Sequence, residues 1–377
     1  MESLVKKAVK RVQTEMKEKN KANLELRRKP LEGDEDLQAF LESAKANIKV
    51  VGVGGGGGNT IQRMKEVGIE GVEIIAVNTD AQDLLHTDSD KRILIGKDTA
   101  RGLGAGSDPS VGEAAAKETV EELTNVLAGT DLLFITCGLG GGTGTGASPV
   151  VAEIGKEINA LTVAVVTLPF NVEGKQRMLN AMEGLAKLQE SVDTIIIIPN
   201  DKILEIAPDL PINAAFKVAD EVLTNAVKGI TELITKPGLI NLDFADLRTI
   251  LRKGGGAMIG LGESKTEEAS DARALEAVEN ALTSPLLDVD ISKAKRALIN
   301  VIGGSDMTLR EAEMIVETVS SKIDEDAHII WGATMDDTLP KNQIQSMVII
   351  AGGRFPFLEK GKVLKGSDLD LGIEFTG

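Results

Sequence analysis

Short apolar runs alternate with stretches of helical periodicity, and this alternation constrains the fold more than any other property of the chain. The runs lie at 48–53, 72–77, 92–95, 131–136, 161–168 and 194–198, and helical patterns such as 111–127 and 174–190 separate most of them. Each run is nearly continuous in apolar character, as strands buried on both faces require. Repeats of this kind build a parallel sheet with helices on either side. A long helical pattern follows at about 213–235. Beyond it come strands near 256–262, 296–302, 328–334 and 345–351, with helices near 267–282 and 308–322. The predicted class is α/β: a Rossmann-like parallel-sheet domain, a long central helix, then a mixed α/β C-terminal domain. The expected boundaries are a helical extension and linker over 1–45, a first domain over 46–212, the central helix over 213–237, a C-terminal domain over 238–356 and a tail over 357–377. A length of 377 residues fits two domains.

Three glycine-rich segments follow predicted strands. The first, Gly52-Val53-Gly54-Gly55-Gly56-Gly57-Gly58-Asn59, directly precedes a helix. The second is Arg101-Gly102-Leu103-Gly104-Ala105-Gly106, and the third is the run Gly140 to Gly146. Glycine lets backbone N–H groups approach an anion closely, and a helix N-terminus adds a favourable dipole. A doubly wound sheet brings the carboxyl ends of its strands to one edge, so the three loops can share one ligand with several phosphates. Gly52-x-Gly54-x-x-Gly57 with Asp80 after the next strand also satisfies the dinucleotide pattern, which keeps a nicotinamide oxidoreductase as a rival. That rival leaves the third loop unexplained, and the two histidines, His86 and His328, have no catalytic context. A P-loop is excluded, because no Gly-Lys-Ser or Gly-Lys-Thr occurs.

Composition narrows the partners. The net charge of −16 argues against nucleic acid and against adsorption to anionic lipid. The single cysteine, Cys137, sits in an apolar run and reads as a buried free thiol, which rules out a disulfide framework and a thiolate metal cluster. Residues 1–20 carry charges throughout, and no apolar run approaches the ~20 residues of a membrane span, so a soluble cytoplasmic protein is expected. Val5, Val9, Val12 and Met16 fall at helical spacing, and Pro30 with Gly33-Asp34-Glu35-Asp36 reads as a linker. This amphipathic helix docks on its own domain or meets a membrane or partner.

The third loop reads Gly-Gly-Gly-Thr-Gly-Thr-Gly. It is accompanied, in order, by Asn78-Thr79-Asp80-Ala81-Gln82, the Arg101–Gly106 segment, Pro169-Phe170 with Glu173-Gly174-Lys175 and Arg177, Pro199-Asn200-Asp201-Lys202, and Gly238 to Asp246. Over roughly 46–352 this set resembles the tubulin superfamily, in the form carried by the FtsZ family of prokaryotic cell-division GTPases. Ile329-Ile330-Trp331-Gly332 resembles the archaeal members. The resemblance implies the tubulin/FtsZ fold, GTP and GDP as ligands, and Mg²⁺ held mainly by phosphates and water, with Asp80 as an outer-sphere partner. It implies that Gly55, Gly56, Gly57, Gly58 and Asn59 form the first phosphate loop. Ala105 and Gly106 become the donors nearest the γ-phosphate, and Gly142, Thr143 and Gly144 cradle the α- and β-phosphates. Glu173 accepts from the ribose, Arg177 lies near sugar and base, and Asn200, Phe216 and Asp220 read guanine. Read from the residues alone, Phe216 is a core aromatic and Asp220 part of a solvated face.

Asn241, Asp243 and Asp246 form the second constellation. By pattern, Asp243 is the N-cap of a helix over Phe244–Arg252 and Asp246 a first-turn acid. The resemblance implies that these residues act on the GTP of a neighbouring subunit in a head-to-tail homopolymer, orienting and polarising the attacking water. A non-hydrolysing GTP-binding scaffold of the same superfamily is the remaining rival, and the complete Asn241/Asp243/Asp246 set argues against it. The implied setting is the cytokinetic ring at the mid-cell division site, with other division proteins as partners. Asp368-Leu369-Asp370-Leu371-Gly372-Ile373-Glu374-Phe375 reads as an edge strand or disordered tail, or as a docking peptide for a membrane-tethering adaptor.

Overall fold

The computed structural model describes residues 45–236, 238–240, 242–264, 271–287, 289–336, 339–340, 342–352, 358–359 and 362–363. The predicted N-terminal helix and linker, Asn241, and the acidic–apolar segment at 368–375 lie outside the described residues.

The first six strands match the predicted runs. They are β1 (Ile48–Val53), β2 (Val72–Asn78), β3 (Lys91–Leu94), β4 (Leu132–Gly138), β5 (Leu161–Leu168) and β6 (Thr194–Pro199). All are parallel, in the order β3-β2-β1-β4-β5-β6. This is the doubly wound order, whose direction of winding reverses between β1 and β4. The helices are α1 (Gly54–Val67), α2 (Ala81–His86), α3 (Pro109–Glu118), α4 (Val120–Leu127), α5 (Thr143–Glu157), α6 (Lys175–Ser191), α7 (Asn200–Ile206), α8 (Ile212–Thr235) and α9 (Phe244–Leu251). Then follow β7 (Gly255–Glu263), α10 (Asp271–Leu282), β8 (Arg296–Gly303), α11 (Leu309–Ser320), β9 (His328–Met335) and β10 (Ile344–Ala351).

Alternate residues of each strand feed opposite cores. Val51, Val53, Ile75 and Val77 join a cluster with α4, α5, α6, α10 and α11, whereas Val50, Ile74 and Ala76 join one with α1, α8 and α9. The sheet continues past β6: Thr194 pairs with Gly255, β7 pairs with β10, and β10 pairs with β8, giving ten strands in one sheet. From Ala46 onward the described residues form one compact unit.

Helical periodicity over 111–127 predicts one helix, and the structure has two. Thr119 interrupts them at φ −109°, ψ 15°. Its hydroxyl donates to Ala115 O (3.1 Å) and accepts from Gly96 N (3.1 Å), so the bend is tied to the loop after β3.

The 24-residue α8 crosses the whole sheet, a length of roughly 36 Å. Its early residues Phe216 and Asp220 face the carboxyl edge of the strands. Its last residue, Thr235, packs on Gly71, just before β2 begins. The end of α9 is on that same amino edge, where Leu251 O accepts from Thr194 Oγ1 at 2.5 Å.

Candidate functional site

A cleft of about 720 Å³ opens at the carboxyl edge, over the reversal between β1 and β4. Two helices begin in its floor. Gly54, Gly55, Gly56 and Asn59 come from α1, and Gly142, Thr143 and Gly144 from the start of α5. Neither helix has a side-chain cap at its N-terminus. Their first N–H groups have no intrahelical acceptor, and both dipoles point positive into the cleft. Such a pair is a site for a polyanion. The two starts touch: Gly54 has φ +70°, and a Cβ there would lie 2.8 Å from Gly144 N. Only glycine meets both demands. Beneath them the buried hydroxyls of Thr79 and Thr143 are 2.6 Å apart.

The second loop forms one wall. Gly104 N donates to Thr79 O (3.2 Å) and Ala81 N to Gly102 O (3.1 Å), which fixes the loop to the end of β2. Gly104 and Ser107 line the cleft. Ala105 is buried, with its Cβ 2.7 Å from where a Cβ on Gly142 would stand, and Gly106 is exposed. Neither of these predicted residues lines the cleft itself. Gly57 and Gly58 also lie off it, one turn inside α1. A Cβ on Gly57 would be 2.5 Å from Thr136 O, so that glycine serves the packing of α1 on β4.

The other end of the cleft holds Glu173, Arg177, Asn200, Phe216 and Asp220, which the sequence reading grouped together. Glu173 accepts from Phe170 N (2.8 Å) and pairs with Arg177. Phe216, 39% exposed, meets Phe170 edge to face at 5.1 Å. Asn200 is buried, and its Oδ1 has no hydrogen-bond partner. Asp220 accepts from Thr60 Oγ1 (3.0 Å), and burial pushes its carboxyl up to about 6. A buried carbonyl oxygen without a donor and a desolvated carboxyl lining one cleft call for a ligand that donates hydrogens.

Sequence reasoning passed over Asn78, Asp83, Thr167 and Pro169 as lining residues. Each sits at or just beyond the end of β2 or β5, and the rule that ligands bind at strand carboxyl ends was the signal that finds them. Asp80 lines the cleft, but its Oδ1 caps α2, accepting from Gln82 N (2.9 Å) and Asp83 N (3.1 Å). Among the described residues no group of three or more His, Cys, Asp or Glu is placed to hold a metal ion. His86 and His328 are exposed and away from the cleft. Cys137 is fully buried, and burial pushes its thiol up to about 12. No helix among the described residues is long and apolar enough to cross a membrane.

Asp243 and Asp246 do not line the cleft. Asp243 is the N-cap of α9, accepting from Asp246 N at 2.8 Å, and both are exposed. The segment carrying them leaves α8 and re-enters the sheet at its amino edge, opposite the cleft.

Comparison with known proteins agrees with this geometry. The profile of the Tubulin/FtsZ family GTPase domain matches residues 47–208, and that of the FtsZ family C-terminal domain matches 255–354. The chain is 60% identical over 324 residues to Cell division protein FtsZ 1 of Thermococcus kodakarensis, covering 86% of this chain and 85% of that one. It is 56% identical over 356 residues to Cell division protein FtsZ 1 of Archaeoglobus fulgidus, covering 94% of each. The solved structure of an empty FtsZ dimer from M. jannaschii superposes with a TM-score of 0.80 at 57% identity, over 86% of this chain and 93% of that one. With two family profiles along its length and archaeal relatives over most of it, the chain belongs to the tubulin/FtsZ family, as a GTPase of the FtsZ type.

Proposed function

We propose that this GTPase polymerises head to tail into linear protofilaments of the cytokinetic ring, and that hydrolysis at the subunit interface drives disassembly. One observation carries the reading. The cleft is lined by Phe216 and Asp220 near the start of α8, and the exposed acids follow its end, roughly 22 Å further along the helix from Asp220, so one subunit cannot bring them together. Two subunits stacked along α8 can. A contact that joins one end to the other, without closing, generates a filament.

In this reading the uncapped starts of α1 and α5 bind the phosphates through backbone N–H groups, with the Thr143 hydroxyl as a further donor. The second loop reads the γ-phosphate through the N–H groups of Ala105 and Gly106, the residues between Gly104 and Ser107 of the cleft wall. Glu173 and Arg177 hold the ribose, and Phe216 stacks on the base. Asp220 accepts from guanine N1–H and its 2-amino group, and Asn200 Oδ1 gains a donor. Adenine lacks that donor pair, so it leaves buried acceptors unpaired and is rejected. Mg²⁺ would be held chiefly by phosphates and water, with no cluster of three or more His, Cys, Asp or Glu placed to hold it among the described residues.

Asp243 and Asp246 of the next subunit, with Asn241, orient the attacking water. Its oxygen forms a bond to the γ-phosphorus as the bond to the β–γ bridging oxygen breaks, giving GDP and phosphate. Phosphoryl transfer needs chiefly position and charge management, so acids delivered by assembly complete an otherwise unfinished site. Residues 46–212, 213–237 and 238–356 serve as nucleotide domain, central helix and loop-bearing domain. The protein acts in the cytoplasm at mid-cell, with an adaptor that tethers residues 367–377 to the membrane. Deleting 367–377 should abolish recruitment to the membrane, and unchanged recruitment would remove the tether.

GTP turnover per subunit, measured against protein concentration, tests the core of the reading. Turnover should appear above a threshold concentration and rise with light scattering. A constant turnover per subunit down to dilute monomer would remove the shared site.

A further inference from the structure

Thr60 lies in the second turn of α1 with none of its surface exposed. Its hydroxyl oxygen is 3.1 Å from Gly56 O, four residues back, and 3.0 Å from Oδ1 of Asp220 on α8. The first contact is the ordinary back-bond of a helical threonine and requires no ligand. The second joins residues 160 apart and ends on a carboxyl that faces the cleft. One hydroxyl has one hydrogen, so Thr60 donates to one of the two acceptors at a time. An ionised carboxylate in a buried site is much the stronger acceptor. Thr60 therefore turns to Asp220 when that group is charged. Burial works against the charged form of Asp220, and the Thr60 hydrogen bond works for it.

A carboxylate rotates readily about its last side-chain bond, because that torsion has broad minima. Accepting one hydrogen bond tolerates such rotation. Accepting two parallel bonds, from N1–H and from the 2-amino group of a purine, does not. We propose that Thr60 is a positioning residue for guanine selectivity: its hydroxyl pins one oxygen of Asp220 so that the carboxylate meets both donors of the base. This rests on the reading of Asp220 as the guanine acceptor. Thr60 also touches Gly56 O in the first phosphate loop, so the test compares two nucleotides that carry the same phosphates.

Inosine triphosphate supplies the probe, since it keeps N1–H and the phosphates and lacks the 2-amino group. Dissociation constants for GTP and ITP are measured below the assembly threshold for the native protein, Thr60→Val, Thr60→Ser and Asp220→Asn. Thr60→Val should lower the preference for GTP over ITP by roughly tenfold to a hundredfold, the worth of one hydrogen bond to a charged group. ITP affinity should change much less, and Thr60→Ser should restore the preference. A purely structural threonine would weaken both nucleotides alike or neither. If valine fails to fold, Thr60→Ala carries the same measurement. Loss of the preference in Asp220→Asn but not in Thr60→Val overturns the role of Thr60 alone. An unchanged preference in Asp220→Asn overturns the base-reading assignment, and this proposal with it.

Discussion

Asp220 shows at the residue scale how a half-buried acid differs from an exposed one. Its carboxyl is pushed up to about 6 because burial penalises the charge and only a neutral hydroxyl opposes that penalty. Two guanine donors need the ionised form. GTP affinity should therefore be fully developed above pH 7 and fall by about tenfold per unit once the pH is below about 6. The nucleotide phosphates titrate in the same range, so Asp220→Asn is the reference. It keeps the phosphate contribution and lacks the carboxyl, and the difference between the two pH profiles should follow a single titration. Identical profiles would mean that Asp220 does not meet the base. The identity of Asp220 was readable only through family resemblance, because an acid on a long amphipathic helix otherwise reads as a solvated face. The partner that covers it is α1, through Thr60, which no local pattern brings beside it.

Helix packing sets the site at the scale of elements. The second loop leads into α3, and α3 lies so close on α5 that a Cβ on Gly146 would be 1.9 Å from Pro109 O. An alanine in a helix interior is normally worth about 1 kcal/mol over glycine. Here the sign reverses. Gly146→Ala should cost about 1–3 kcal/mol in chemical unfolding and weaken GTP binding, since α3 must move and carries the wall of the cleft with it. An unaltered midpoint would show that the helices separate at no cost. A second element-level prediction concerns Arg273, 1% exposed on α10, which pairs with Glu311 (2.6 Å) and Asp306 (2.5 Å). Arg273→Leu leaves Glu311 charged and buried, and should destabilise by about 3–5 kcal/mol. One N-cap was legible: Asp243 stands at the start of α9 as its position predicts. The break at Thr119 was not, because it depends on Gly96, a partner in another loop.

The opposite placement of cleft and acids governs the whole molecule. Asp246→Ala should bind GTP with near-native affinity and assemble, yet lose hydrolysis by about a hundredfold or more, as expected when one group stabilising the transition state is removed. Asp220→Asn has intact acids and a poor cleft. Mixing the two should recover turnover above either alone, because each Asp246→Ala cleft can then be served by an Asp220→Asn neighbour. Phosphate release in such mixtures decides the matter, and additive rates would place all the chemistry within one subunit. Filaments of Asp246→Ala should also outlast native ones by light scattering.

Local pattern alone determined the strand–helix alternation, the parallel sheet and the three glycine loops, because burial periodicity and backbone freedom are written residue by residue. A ligand at the strand ends follows from a doubly wound sheet, while the strand order and its reversal between β1 and β4 came with the structure. Tertiary structure decided the rest. It showed that α8 spans the sheet, so that Asp243 and Asp246 lie far from the phosphates they are proposed to serve. It also brought Thr60 to Asp220, across 160 residues of chain. Contacts of that range depend on how whole elements pack, and no single segment encodes them.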